Sequence, residues 1–176
     1  MITLLGRRDG GSATELLARV LRQKYGITEL PEMARTEEGK PWFPERSELH
    51  FNLSHSDEYV LCGVGQVPLG VDVEPICPRK DSLARYALSD REYRWFEDRG
   101  RRWEDFYTLW TLKESRCKYT GRGLDVAPRE LEVPLLEPGE TGVLDGMAFR
   151  AYGGESWRAA VCAAASCELP EEIHWT

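Results

Sequence analysis

Asp72 and Glu74 sit two residues apart in the run Leu69-Gly-Val-Asp-Val-Glu74. The run is otherwise apolar and reads as a strand, in which side chains two apart leave the same face. If Glu114 reached these two carboxylates, each like-charged pair at about 4 Å would repel by roughly 4 kcal/mol at an effective dielectric of about 20, unless one were protonated or a cation lay between them. Oxygen ligands without a histidine or thiol cluster favour magnesium, which keeps several waters and takes a few carboxylates plus substrate phosphates. Standing alone, an acidic pair at the end of a strand more often marks a solvated loop.

Glu114 and Lys118 are four apart in a helical stretch and share a face. That spacing sets a metal ligand or base beside a phosphate-binding cation; its plain alternative is a surface ion pair of small energy. His55, between the hydroxyls of Ser54 and Ser56 in Asn52-Leu-Ser-His-Ser56, sits in a composition that can present a side chain and backbone N–H groups to an anion. Gly39-Lys40-Pro41 joins a flexible residue, a cation and a rigid one, and by itself is an ordinary surface turn.

These residues must be positioned by recognisable elements. Ser12-x-x-Glu15 is a capping-box spacing before Leu16, Leu17, Val20 and Leu21 on one face, with Gly26 as a stop, which predicts a helix over 13–25. Three prolines between 28 and 48 predict irregular chain with short extended pieces. The runs from Tyr59 and from Leu69 predict two strands joined by the turn at 65–68, and Pro75 and Pro78 open a loop. Short helices fit 82–87 and the segment after Ser89, where Ser89-x-x-Glu92 is again a capping box. The longest helical signal runs from about Trp103 to Tyr119, with Gly121 and Gly123 as stops, and strands are predicted near 130–135, 146–152 and 157–163. An α+β fold follows.

Bulk properties bound the function. A chain of 176 residues, 41% hydrophobic and 30% charged, buries a real core and dissolves. No stretch matches a signal peptide or a membrane span, so the expected location is the cytoplasm, without membrane attachment. The five cysteines never form a C-x-x-C pair and are expected as reduced thiols. A net charge of −7 argues against nucleic-acid binding, so a phosphate-bearing ligand would depend on local cations.

In order, Gly39-Lys-Pro-Trp-Phe, Phe51-Asn-Leu-Ser-His-Ser56, Gly70-Val-Asp-Val-Glu74 and Phe106-Tyr-Thr-Leu-Trp-Thr-Leu-Lys-Glu-Ser115, with Lys118, Gly121 and Gly123, resemble the Sfp-type 4'-phosphopantetheinyl transferases, from about residue 38 to 126. The resemblance implies two similar α+β halves related by a pseudo-twofold axis, here 1–70 and 71–176, with coenzyme A and a metal in the cleft between them. Carried over by motif, Asp72, Glu74 and Glu114 would hold Mg²⁺, Lys118 and His55 the coenzyme A phosphates, and Gly39, Lys40, Pro41 and Ser54 would line its adenosine end. The implied reaction moves phosphopantetheine to a serine of an acyl or peptidyl carrier protein and releases 3',5'-ADP. It needs charge neutralisation at the pyrophosphate and a base at the hydroxyl. Glu114 is the first candidate for that base and Glu92, which the capping box also explains, the second.

The family's larger members carry an extra basic segment before the first matching helix, which leaves the 3'-phosphate without an evident partner unless Arg7 and Arg8 serve. Residues 91–122 hold nine Lys/Arg against six acids, a patch that could steer an acidic carrier. Two fused halves have no need to self-associate, so a monomer is expected. Two rivals remain open: a metal-dependent phosphohydrolase on the same cleft, and a non-catalytic carrier-binding module.

Overall fold

Alternation along each strand decides which side chains meet in this protein, whose computed structural model describes residues 1–122 and 126–176. Strand β1 (Ile2–Arg7) leads into helix α1 (Ala13–Tyr25), capped by Ser12, whose side chain accepts from the Glu15 N–H, and ended by Gly26 in the left-handed region. A two-stranded hairpin follows, β2 (Ala34–Arg35) and β3 (Pro41–Trp42). Next come β4 (His50–Ser56), β5 (Tyr59–Gly65) and β6 (Leu69–Pro75). Helices α2 (Asp81–Ala87), α3 (Asp90–Asp98) and α4 (Trp103–Thr120) lead to β7 (Thr141–Leu144), β8 (Met147–Gly153), β9 (Trp157–Ala164) and β10 (His174–Trp175).

The strands form two four-stranded sheets, ordered β10-β1-β5-β4 and β6-β9-β8-β7. The strands at 59–65 and 69–75 thus exist but do not pair with each other: β5 lies between β1 and β4, and β6 runs antiparallel to β9. Facing residues of the two sheets, among them Leu4, Leu61, Val71, Val73, Ala159 and Val161, form the central core. Leu17, Leu21, Phe51, Val60 and Val64 pack α1 on the outer face of the first sheet, and Phe106, Leu109, Leu112, Phe149 and Ala160 pack α4 on the outer face of the second. Burying each of the valine, leucine and phenylalanine side chains among these contributes about 1.5–3 kcal/mol. The fold is α+β, in four layers: helix, sheet, sheet, helices.

The expected strand at 130–135 is absent. A 3₁₀ turn covers Pro128–Glu130, and the chain to residue 136 runs outside either sheet. Its backbone is satisfied by side chains instead: Lys113 donates to the carbonyls of Pro128 and Leu131, Arg116 to that of Glu132 and Arg91 to that of Val133, while the Val133 N–H donates to Glu92. Val133, the buried apolar residue of this segment, sits in the core without being a strand residue of a ladder. Gly123, read as a stop after α4, lies outside the described residues.

Candidate active site

In β6, residues 69, 71 and 73 point into the central core, so 70, 72 and 74 face α4. Gly70 lets that helix come down onto the strand. A Cβ there would fall within contact of the Ser115 carbonyl, the Tyr119 N–H and the Lys118 carbonyl carbon, so only glycine permits the backbone-to-backbone approach. The approach sets Lys118 over Asp72: its Nζ donates to Asp72 Oδ1 at 2.7 Å and to Ser54 Oγ at 2.9 Å.

Strand β4 contributes through alternate residues. Asn52 Oδ1 accepts from the Val71 N–H at 2.8 Å. Ser54 Oγ donates to Asp72 Oδ1 at 2.8 Å and accepts from the Val73 N–H at 3.3 Å. Ser56 Oγ donates to Glu74 Oε2 at 2.6 Å. The edges of the two sheets are thus joined by side chains.

Burial pushes the pKa of Asp72 up, against the opposing pull of Lys118 and Ser54. Burial also raises Glu74, with Ser56 opposing and Asp72 adding to the rise, and raises Glu114, with Asp72 and Glu74 adding and Lys118 opposing. The three carboxylates predicted to act together therefore sense one another across β6 and α4. Asp72 is 3% exposed, and its Oδ2 has no hydrogen-bond partner among the described residues. Such an oxygen costs free energy unless a cation or donor reaches it. No three His, Cys, Asp or Glu side chains among the described residues form a ready-made metal cage. The donor chemistry nevertheless fits a hard cation: oxygen ligands, raised carboxyls and one buried oxygen without a partner.

A cleft of about 250 Å³ opens beside this cluster, lined by Gly39, Lys40, Pro41, Asn52, Glu114 and Lys118 among others. The structure brings the Gly39-Lys-Pro turn to the acidic cluster, but the Lys40 ammonium turns inward, 3.2 Å from the carbonyls of Leu69 and Tyr119. Cys117 also lines the cleft, its thiol pKa pushed up to about 11 by burial. His55 is exposed on β4. Arg7 pairs with Asp9 and Glu15, and Arg8 lies over the rings of Trp157 and Trp175, so both already have partners within the protein.

Glu92 does not come to the cleft. It is fully buried, closing the capping box of α3 through the Ser89 N–H, accepting from the Val133 N–H, and pairing with Lys113 at 2.7 Å. Its oxygens are occupied by the fold, which leaves no approach for a substrate hydroxyl. The basic segment 91–122 is also largely consumed internally: Arg99, Arg101 and Arg102 pair with nearby acids, Lys113 with Glu92, and Arg116 with Asp145. Sequence reasoning assigned Asn52, Ser56 and Lys113 no role of their own. Alternation along Phe51-Asn-Leu-Ser-His-Ser56 was the available signal for the first two.

Comparison with known proteins converges on one family. The family model described as the 4'-phosphopantetheinyl transferase superfamily matches residues 68–163. A 4'-phosphopantetheinyl transferase from Bacillus subtilis is 34% identical over 136 residues, 73% of this chain and 61% of that protein. The 4'-phosphopantetheinyl transferase Sfp of Bacillus subtilis strain 168 is 31% identical over 131 residues, 73% of this chain and 58% of that protein. The 4'-phosphopantetheinyl transferase AcpT of Salmonella typhi is 38% identical over 116 residues, 62% of this chain and 59% of that protein. The chain thus spans about 60% of the length of these relatives. With the acidic strand and the helix bearing Glu114 and Lys118 both inside the matched region, the chain belongs to the 4'-phosphopantetheinyl transferase superfamily.

Proposed function

We propose that this protein transfers the 4'-phosphopantetheine group of coenzyme A to a serine of an apo acyl or peptidyl carrier protein. The serine Oγ forms a new bond to the phosphorus next to the pantetheine, the phosphoanhydride bond to that phosphorus breaks, and 3',5'-ADP leaves with the bond electrons. The observation that carries the reading is a buried Asp72 that accepts from Lys118 and has one oxygen without a partner among the described residues, beside a cleft lined by Glu114 and Lys118.

Lys118 is the cation for the pyrophosphate, and its bond to Ser54 orients it. Glu114, whose pKa burial raises, takes the serine proton. Asp72, Glu74 and Glu114 would hold Mg²⁺, which supplies Lewis-acid neutralisation of charge on the phosphate oxygens. His55 stands exposed for a phosphate, and Gly39, Pro41 and the aliphatic stem of Lys40 line the nucleotide end. The protein acts in this reading as a cytoplasmic monomer; among the described residues no helix is long and apolar enough to cross a membrane.

The test is intact-mass spectrometry of apo carrier proteins of several types, incubated with the protein, coenzyme A and Mg²⁺, beside a chelator control. The expected result is a chelator-sensitive gain of one phosphopantetheinyl group, reduced at least about a hundredfold in rate by Glu114→Gln in a folded variant. Carrier-independent release of 3',5'-ADP would instead identify a phosphohydrolase. Carrier binding with neither gain nor release would identify a binding module.

A further inference from the structure

We infer that Lys40 is a positioning residue: its ammonium bolts the end of α4 to the start of β6 and thereby holds Lys118 and Glu114 in place, and it is not a ligand of the coenzyme phosphates. The inference rests on the transferase reading for its kinetic consequence, and on geometry alone for the bolt.

The two acceptors of Lys40 lie one residue from the places that matter. Leu69 precedes Gly70, where α4 touches β6, and Tyr119 follows Lys118. The Tyr119 carbonyl is among the last four of α4, which lack an intrahelical partner and form the negative end of the helix dipole. One ammonium satisfies it and, from the same atom, the first carbonyl of the strand that carries Asp72. Among the described residues no carboxylate lies within salt-bridge distance of Lys40, so the backbone carbonyls are its counterpart. Burial disfavours its charged form, which is the expected mark of an ammonium drawn into the protein and away from water.

The turn that presents Lys40 is built to aim it inward. The Thr36 N–H donates to the Lys40 carbonyl and the Gly39 N–H to the Thr36 carbonyl, each at 2.9 Å, and the Lys40 N–H donates to Thr36 Oγ1 at 3.2 Å. Gly39 adopts φ +84°, which a side chain would oppose, and Arg35 holds the Gly39 carbonyl at 2.8 Å. The β2–β3 hairpin is therefore tied to the helix that carries Lys118. A ligand seated against Gly39 and Pro41 presses on a turn already fastened to the catalytic helix.

Lys40→Met keeps the stem and removes the ammonium. In the transfer assay the expected result is a kcat about tenfold lower with the KM for coenzyme A changed by no more than about twofold, the pattern of a lost transition-state arrangement. A KM increase of about tenfold or more at unchanged kcat would make Lys40 a coenzyme ligand and overturn the inference. Lower thermal stability with unchanged kcat per folded molecule would overturn it as well. A second measurement needs no substrate: amide hydrogen exchange on the coenzyme-free protein. Amides of residues 117–121 should exchange about tenfold faster in Lys40→Met, the scale of one lost charge-assisted hydrogen bond, while Leu109–Leu112 stay unchanged. Equal exchange at 117–121 would remove the bolt. If the unaltered protein modifies no carrier, the transferase reading fails and the exchange experiment alone decides the role of Lys40.

Discussion

Helix α4 carries two lysine–carboxylate pairs at the same 2.7 Å, Lys113–Glu92 and Lys118–Asp72, and their surroundings differ in every other respect. The side chains of the first pair are both 0% exposed. Lys113 also donates to the carbonyls of Pro128 and Leu131, and Glu92 also accepts from the N–H groups of Ser89 and Val133. In the second pair the lysine side chain is 28% exposed, and one oxygen of the buried aspartate has no partner among the described residues. A buried pair whose donors and acceptors are filled joins α3, α4 and the 128–133 segment; a pair left incomplete beside a cleft can still take a ligand.

The sharpest way to break this contrast is to remove one member of the sealed pair. Glu92→Ala should lower unfolding stability by about 3–5 kcal/mol, read by chemical denaturation, because it strands a buried ammonium. The double change Glu92→Leu with Lys113→Met removes the stranded charge but also the partners of the Ser89 and Val133 N–H groups and of the Pro128 and Leu131 carbonyls, so it should recover only part of that loss. A Glu92→Ala variant within about 1 kcal/mol of the parent would show that the pair is not the joint. At the open pair the order of effects reverses. Asp72→Asn should cut carrier modification at least about a hundredfold, yet leave stability within about 1 kcal/mol of the parent or above it. A folded Asp72→Asn enzyme with near-parental turnover would remove Asp72 from the chemistry.

The smallest expected effect is a slope. Asp72, Glu74 and Glu114 have raised pKa values in the folded protein, so the native state holds protons that the unfolded chain has released. Their contribution to stability is therefore fullest below the unfolded carboxyl pKa of about 4 and is lost as pH rises through the raised folded values. Denaturation across that window in chelator should show a shallower decline for Asp72→Asn than for the parent; parallel curves would mean that Asp72 is not part of the effect.

Local chemistry made much of this legible beforehand. Ser12, Ser89, Gly26 and Gly121 mark helix ends by capping and left-handed backbone, and α1, α3 and α4 run where those residues predict. Asp72 and Glu74 share a face because a strand alternates. Pairing was not legible: nothing local tells β5 to join β1 instead of β6, since that choice lies in contacts between distant residues. The segment at 130–135 misled because Val133 is buried as a strand's residue would be, although side chains and not a neighbouring strand hold its backbone. Composition alone does not distinguish a carboxylate facing a cleft from one facing Lys113, as at Glu92, nor does it tell which cations of residues 91–122 pair with acids elsewhere in the fold.

The join between β4 and β6 has a consequence for sequence change. Main-chain ladders tolerate many side chains, but this seam is written in every second residue of β4, with Asn52, Ser54 and Ser56 meeting Val71, Asp72, Val73 and Glu74. It therefore has a reading frame. An insertion or deletion of one residue within β4 would offer Phe51, Leu53 and His55 to the acidic strand in their place, so length drift in this lineage should collect in the segments before His50 and after Pro75, where the frame of the seam is untouched.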